Sequence, residues 1–98
     1  ALVGDFNATP RSTTVRLLGE HLRSAYAAVH GREPPRTVPT PLREPDATSG
    51  IVIDYVFVSA DVDVLDAAVA FDQPHPTDPR LVPSDHFGLV ASVSFGGP

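Results

Sequence analysis

The sequence predicts a small α/β domain of the α+β kind, and three observations carry that expectation. Four apolar runs have strand character: residues 1–6, Ile51–Val58, Val64–Phe71, and an alternating segment that ends at Phe95. One stretch, from Ser12 to Val29, repeats its apolar residues at helical spacing. Between these lie two polar, proline-rich segments with no apolar period, the pattern of long loops. With 98 residues and 42% hydrophobic content, the chain is sufficient for one core.

Taken in order, "LVGDFNATP" opens with a short buried strand over residues 1–6. Two-residue periodicity along it would send Asp5 and Asn7 to one face at the strand's end. Thr9-Pro10 and Ser12 signal a helix start, with Ser12 or Thr9 as the cap. Val15, Leu18, Leu22, Ala25 or Tyr26, and Val29 then mark a buried helical stripe. Gly19 divides it into two short helices, and Gly31 closes the unit. From Arg32 to Gly50 the chain carries five prolines, with a short edge strand expected at Thr37–Thr40. Ile51–Val58 is nearly continuous β-branched and aromatic, as in a strand covered on both faces. Ser59–Asp63 turns the chain into the strand Val64–Phe71, and a second loop spans Asp72–Ser84. In the last segment Leu89, Ala91, Val93 and Phe95 alternate with Val90, Ser92 and Ser94, which predicts a half-buried strand.

Composition removes several function classes. There is no cysteine, so neither a disulfide framework nor a thiolate metal site is available. All seven basic residues are arginine, and the net charge of −5 argues against a broad phosphate-binding surface. It leaves room for a phosphate-ester substrate, because a metal centre itself requires carboxylates. No apolar run reaches the length of a membrane span.

Asp54 is the most informative residue. A carboxylate inside the apolar Ile51–Val58 run costs several kcal/mol, on the order given for buried ions, unless a partner compensates it. His86 in "PSDHFG" is the natural partner. An Asp–His pair fixes the imidazole tautomer, raises its pKa and leaves a charged donor for a phosphate oxygen. Asp85 beside it is a hard oxygen ligand suited to Mg²⁺. Ser84 and His86 alone would make a serine nucleophile pair, a weaker reading. Asp5 and Asn7 supply an acceptor for a water proton and an amide for an oxyanion or water; Asx turns are the competing explanation for either residue alone. His21 and His30 read as surface or helix-end residues and His75 as a loop side chain. Arg32, Arg36 and Arg43, in the long loop, could contact phosphates, but seven arginines in an acidic chain are unremarkable.

"GDFNATP", "IDYVFVS" and "PSDHFGLVASV", in that order, resemble the C-terminal half of the endonuclease/exonuclease/phosphatase superfamily, with its DNase I-like fold. The long loop before "IDYVFVS" and the "VPSDH" approach to the last strand look most like the deadenylase and nocturnin branch. The resemblance implies half of a four-layer α/β sandwich: one mostly antiparallel sheet with helices on one face, residues 1–98 forming a partial domain. A complete domain of this kind needs about 250 residues. It also implies a metal-dependent phosphoester hydrolase, most of all a phosphodiesterase or nuclease, with Mg²⁺ or Mn²⁺ as cofactor. Asp5 would activate the attacking water, and Asn7 would hold that water or the phosphate. Asp54 would orient His86, and His86 would bind the scissile phosphate. Asp85 would bind metal together with a glutamate from an N-terminal half. The substrate would be RNA, DNA, a sphingolipid headgroup or an inositol phosphate. These residues alone are expected to have little activity. Their exposed sheet face should pair with the N-terminal half or with a second copy. The alternative reading is a non-catalytic binding or dimerisation module that retains the fold.

Overall fold

The computed structural model describes residues 1–95, which run β1 (Leu2–Asp5), α1 (Thr13–Gly19), β2 (Arg23–Ser24), α2 (Ala25–His30), β3 (Asp54–Val58), β4 (Val62–Ala70) and β5 (Gly88–Phe95). The helical region divides at Gly19, as its spacing predicts, and each half has its own serine cap. The Ser12 hydroxyl accepts from the Val15 N–H at 3.2 Å, and the Ser24 hydroxyl accepts from the Ala27 N–H at 3.3 Å. Gly31 ends α2 in the left-handed region at φ 79°, its N–H donating to the Ala27 carbonyl.

Every strand pairing is antiparallel, and the α+β class holds. The strands form two hydrogen-bonded sets rather than the one continuous sheet expected: β1-β3-β2 and a β4-β5 pair. The division has a local cause. The Phe87 N–H, just before β5, donates to the Thr37 carbonyl at 2.8 Å instead of to a strand neighbour. β5 therefore begins at Gly88 and pairs with β4 alone, through a register shift between Val64 and Asp66.

The same loop moves the start of β3. Ile51 exchanges backbone hydrogen bonds with Val38, and the Ile53 N–H donates to the Thr37 hydroxyl at 3.0 Å. The strand expected from Ile51 thus starts at Asp54, which stands at its mouth rather than in its middle. Of the edge strand expected at Thr37–Thr40, only a single bridge at Val38 forms. β4 begins two residues earlier than Val64, at Val62, and ends before Phe71, whose φ of 57° turns the chain away.

The core lies on one face of β3. Tyr55 and Phe57 point there, stacked at 5.1 Å, and Phe6 meets each of them edge-on at 5.6 and 5.4 Å. Val15 and Val52 complete the buried cluster, with Ala8, Leu18 and Leu22 against it. Burial of each aromatic ring contributes about 1.5–3 kcal/mol. The Tyr55 hydroxyl donates to the carbonyls of Ala8 at 2.8 Å and Val52 at 3.1 Å, which pins the segment after β1 to the strand beside it. Burial, with the charges of Glu33 and Asp54 nearby, pushes this hydroxyl's pKa up to about 12, so it remains a donor. The helical unit is tied to β4 by Arg23, which donates to the Val62 carbonyl at 2.6 Å, and by the His30 ring against the Ala67 carbonyl at 2.6 Å. Alternation along β3 leaves Asp54 and Val56 on the face opposite the aromatic core.

Candidate active site

The antiparallel register sets Asp5 of β1 directly opposite Asp54 of β3. Like charges facing each other across a strand pair repel, and a donor set between them relieves the repulsion. His86 lies against both. Its Nδ1 lies 2.9 Å from Asp54 Oδ2 and 3.1 Å from Oδ1, and its Nε2 lies 3.9 Å from Asp5 Oδ2. A carboxylate can only accept, so Nδ1 carries the proton in this contact. The hydrogen bond to Asp54 raises the His86 pKa. Burial opposes that, and the charges of Asp54, Asp5 and Asp85 add to it. The Asp54 side chain is 17% exposed against 40% for Asp5. The better-buried acid thus takes the close contact, and the more open acid faces solvent.

Asn7 departs from its expected position. β1 ends at Asp5, and Asn7 adopts φ 50°, so strand periodicity no longer governs where its side chain points. Its backbone N–H donates to Asp5 Oδ1 at 2.8 Å, an Asx turn that fixes the Asp5 carboxylate. Asn7 itself is exposed.

Asp85 also sits apart from the pair. Its carboxylate is 3.8 Å from Arg43 Nη1 and 3.5 Å from the Ser84 hydroxyl, and half of its side chain is exposed. Among the described residues, the carboxylate and imidazole groups close enough to share a cation are those of Asp5, Asp54 and His86, whose ligand atoms lie within 4.8 Å of one another. Two carboxylates and an imidazole suit a divalent ion in kind. A cation placed there would compete with the imidazole already held by Asp54. Asp85 stands outside that group, and the donor set of Asp5, Asp54 and His86 suits a divalent ion in kind only. Ser84 is engaged locally, its hydroxyl accepting from the His86 N–H at 3.1 Å, and no serine–histidine nucleophile geometry forms.

Two residues that hold this site have no chemical signature in the sequence. Thr37 and Thr40 are fully buried. The Thr37 hydroxyl takes the N–H of Ile53, which precedes Asp54, and its carbonyl takes the N–H of Phe87, which follows His86. One threonine thereby sets the spacing of the acid and the imidazole. Thr40 donates its hydroxyl to the Ser84 carbonyl at 2.5 Å and its N–H to the Asp85 carbonyl at 3.3 Å, which fixes the turn that presents Asp85 and His86. The available signal was "TVPT" itself, two threonines bracketing a Val-Pro step in an otherwise charged loop.

His21, His30 and His75 lie outside this cluster. His30, the last residue of α2, sets its ring against the Ala67 carbonyl of β4, and His75 bonds within its own turn to Thr77. No helix among the described residues is long and apolar enough to cross a membrane. No curated protein and no solved structure matches the chain significantly. The sequence model of the Endonuclease/Exonuclease/phosphatase family matches residues 1–86. That span includes every residue of the Asp5–Asp54–His86 cluster, and the chain belongs to this family of phosphoester hydrolases, whose members generally use divalent metals.

Proposed function

We propose that the chain provides the catalytic face of a metal-dependent phosphodiesterase of the nuclease type. The observation that supports this most is the imidazole of His86 held between two facing carboxylates, close to one and open toward the other. With Nδ1 occupied by Asp54, Nε2 is the donor left for an incoming phosphoryl oxygen. The hydrogen bond to Asp54 raises the ring's pKa and so favours the protonated form, in which Nε2 is a charged donor for that oxygen.

In this reading Asp5 accepts the proton of the attacking water, and the Asx turn to Asn7 holds its carboxylate in place. The Asn7 amide positions the water or the phosphate. The oxygen–phosphorus bond from water forms as the bond to the leaving alkoxide breaks, and His86 bears the charge that builds on the phosphoryl oxygen. Asp54 acts through His86, fixing its tautomer. Asp85, now 3.8 Å from Arg43, would hold Mg²⁺ or Mn²⁺, and the ion when bound would supply Lewis-acid chemistry at the phosphoryl group.

The test is phosphodiester turnover, with magnesium, by a protein carrying this sequence. His86→Ala should lower kcat by about 10³-fold or more, comparable to loss of a principal charge-stabilising donor. Asp54→Asn should lower it less and shift its acidic limb. Full activity of the His86→Ala protein would remove the reading.

A further inference from the structure

The two segments that carry the site hold each other one residue to either side of their functional groups. Ile53 and Tyr55 flank Asp54; Phe6 and Ala8 flank Asn7. The Phe6 N–H donates to the Ile53 carbonyl at 2.8 Å, and the Tyr55 hydroxyl donates to the Ala8 carbonyl at 2.8 Å. Between these ties Asn7 stands at φ 50°, left-handed backbone that asparagine tolerates better than most residues and that still needs fixed neighbours to persist. The Phe6 tie is a backbone bond that continues from β1. The Ala8 tie is made by a side chain only 2% exposed, from the core side of β3. Core packing does not call for that hydroxyl: the ring's contacts with Phe6 and Phe57 are open to any phenyl group. A buried hydroxyl must find acceptors, and the two it finds, on Ala8 and Val52, lie on the chain leading out of β1 and into β3.

We infer that Tyr55 is a positioning residue of the active site: through the Ala8 carbonyl its hydroxyl holds Asn7 in the left-handed conformation. The inference rests on the phosphate reading for what Asn7 does and adds how Asn7 is held. Asn7 bears on the site in two ways. Its N–H, 2.8 Å from Asp5 Oδ1, closes the turn that fixes the acid opposite Asp54, and its direction follows the backbone of Asn7. Its side-chain amide springs from the same backbone, so a rotation that moves one group moves the other. With Ala8 released, Asn7 is free to relax to negative φ and take both groups with it. Phenylalanine at position 55 would keep the aromatic stack and release the carbonyl.

The experiment compares Tyr55→Phe with Val15→Ala, an apolar truncation in the same core cluster, by ¹⁵N–¹H NMR of the chain and by phosphodiester turnover with magnesium. The unaltered protein should show at Asn7 the strong intraresidue Hα–HN cross-peak of a positive φ, and Tyr55→Phe should weaken it. Relative to the amides of β4 and β5, the Phe6 amide should exchange about tenfold faster in Tyr55→Phe, the upper range for one lost hydrogen bond. Val15→Ala loosens the core and should leave both signals as they are. Tyr55→Phe should also lower kcat about tenfold and change KM by less than about twofold, because misplacement impairs geometry and leaves binding in place. An unchanged Asn7 cross-peak and Phe6 ratio in Tyr55→Phe, or equal changes in Val15→Ala, would overturn the clamp and leave the phosphate reading intact. Altered Asn7 signals with unchanged kcat would overturn the positioning role and take Asn7 out of the mechanism. Absence of turnover by the unaltered protein would remove the phosphodiesterase reading, and the Asn7 and Phe6 signals would then decide the clamp alone.

Discussion

The two proline-rich loops look alike as sequence and are held by different means. Residues 32–50 are anchored to the body of the protein through Thr37, Val38 and Thr40, which bond to Ile51, Ile53, Ser84, Asp85 and Phe87. Residues 73–81 bond mainly among themselves: His75 to Leu81, Asp78 to His75, Leu81 to Asp78, and Arg80 to the Asp78 carboxylate. The first loop has two fully buried threonines; from Asp72 to Leu81 the second is almost wholly exposed, and only Val82 beyond it is buried. Proline content therefore marks where regular structure stops without telling whether a loop is part of a site. What decides it is a buried side-chain hydroxyl that satisfies backbone groups of a distant segment.

The largest effect should come from those hydroxyls. Thr37→Val keeps the shape and leaves the Ile53 N–H without its acceptor; Thr40→Val leaves the Ser84 carbonyl without its donor. Each should cost about 1–3 kcal/mol in denaturant unfolding, the penalty of an unsatisfied buried group. For a chain of this size that corresponds to a fall in Tm of about 4–8 °C per kcal/mol. Thr37→Val should also perturb the His86 ring resonances, because Thr37 holds both neighbours of the Asp54–His86 pair. Thr37→Val with unchanged stability and unchanged His86 resonances would show that the loop is draped over the site and does not build it.

A smaller effect reports on the pair that the first loop aligns. The folded-state pKa of His86 is raised above its ordinary value of 6.5. The stability this contributes is fully present below the unfolded value and is lost as pH rises through the folded one. The denaturation midpoint should therefore decline as pH is raised from about 6 across the folded His86 pKa, and Asp54→Asn should flatten that decline. Direct NMR titration gives the sign independently: His86 should titrate above 6.5. A His86 midpoint at or below 6.5 would contradict the charged-donor role.

The contrast between the loops also explains how much could be read from the sequence. Ser12, Gly19 and Gly31 act through local geometry, and their roles as cap, break and terminator follow from residue type alone. The partnership of Asp54 with His86 was legible because an acid among β-branched residues requires compensation, and few partners were on offer. The face of Asn7 was not legible: two-residue periodicity holds only inside a strand, and the Asx turn at Asp5 ends the strand first. The start of β3 and the division into two sheets were hidden for a related reason. Both depend on backbone groups of Ile51, Ile53 and Phe87 choosing Thr37 over a strand neighbour, a long-range competition that apolar pattern does not encode.

The smallest expected effect lies in the second loop. His75 accepts from the Thr77 N–H at 3.2 Å through Nδ1 and is exposed, so His75→Ala removes one local, solvent-accessible contact. Its cost should stay within about 0.5 kcal/mol, as for surface positions away from a core or cap. Limited proteolysis makes the same comparison without a mutation. Trypsin must open several residues around its target bond, and opening is governed by local stability. The bond after Arg80 lies in a self-contained exposed turn, whereas the bond after Arg36 leads into buried Thr37 and is flanked by the Ala47 and Ser49 carbonyl contacts. Cleavage after Arg80 should therefore precede cleavage after Arg36, and Thr37→Val should narrow the gap by speeding the second cut alone. If the bond after Arg36 were cut first in the unaltered protein, Thr37 could not be anchoring the loop against Ile53 and Phe87.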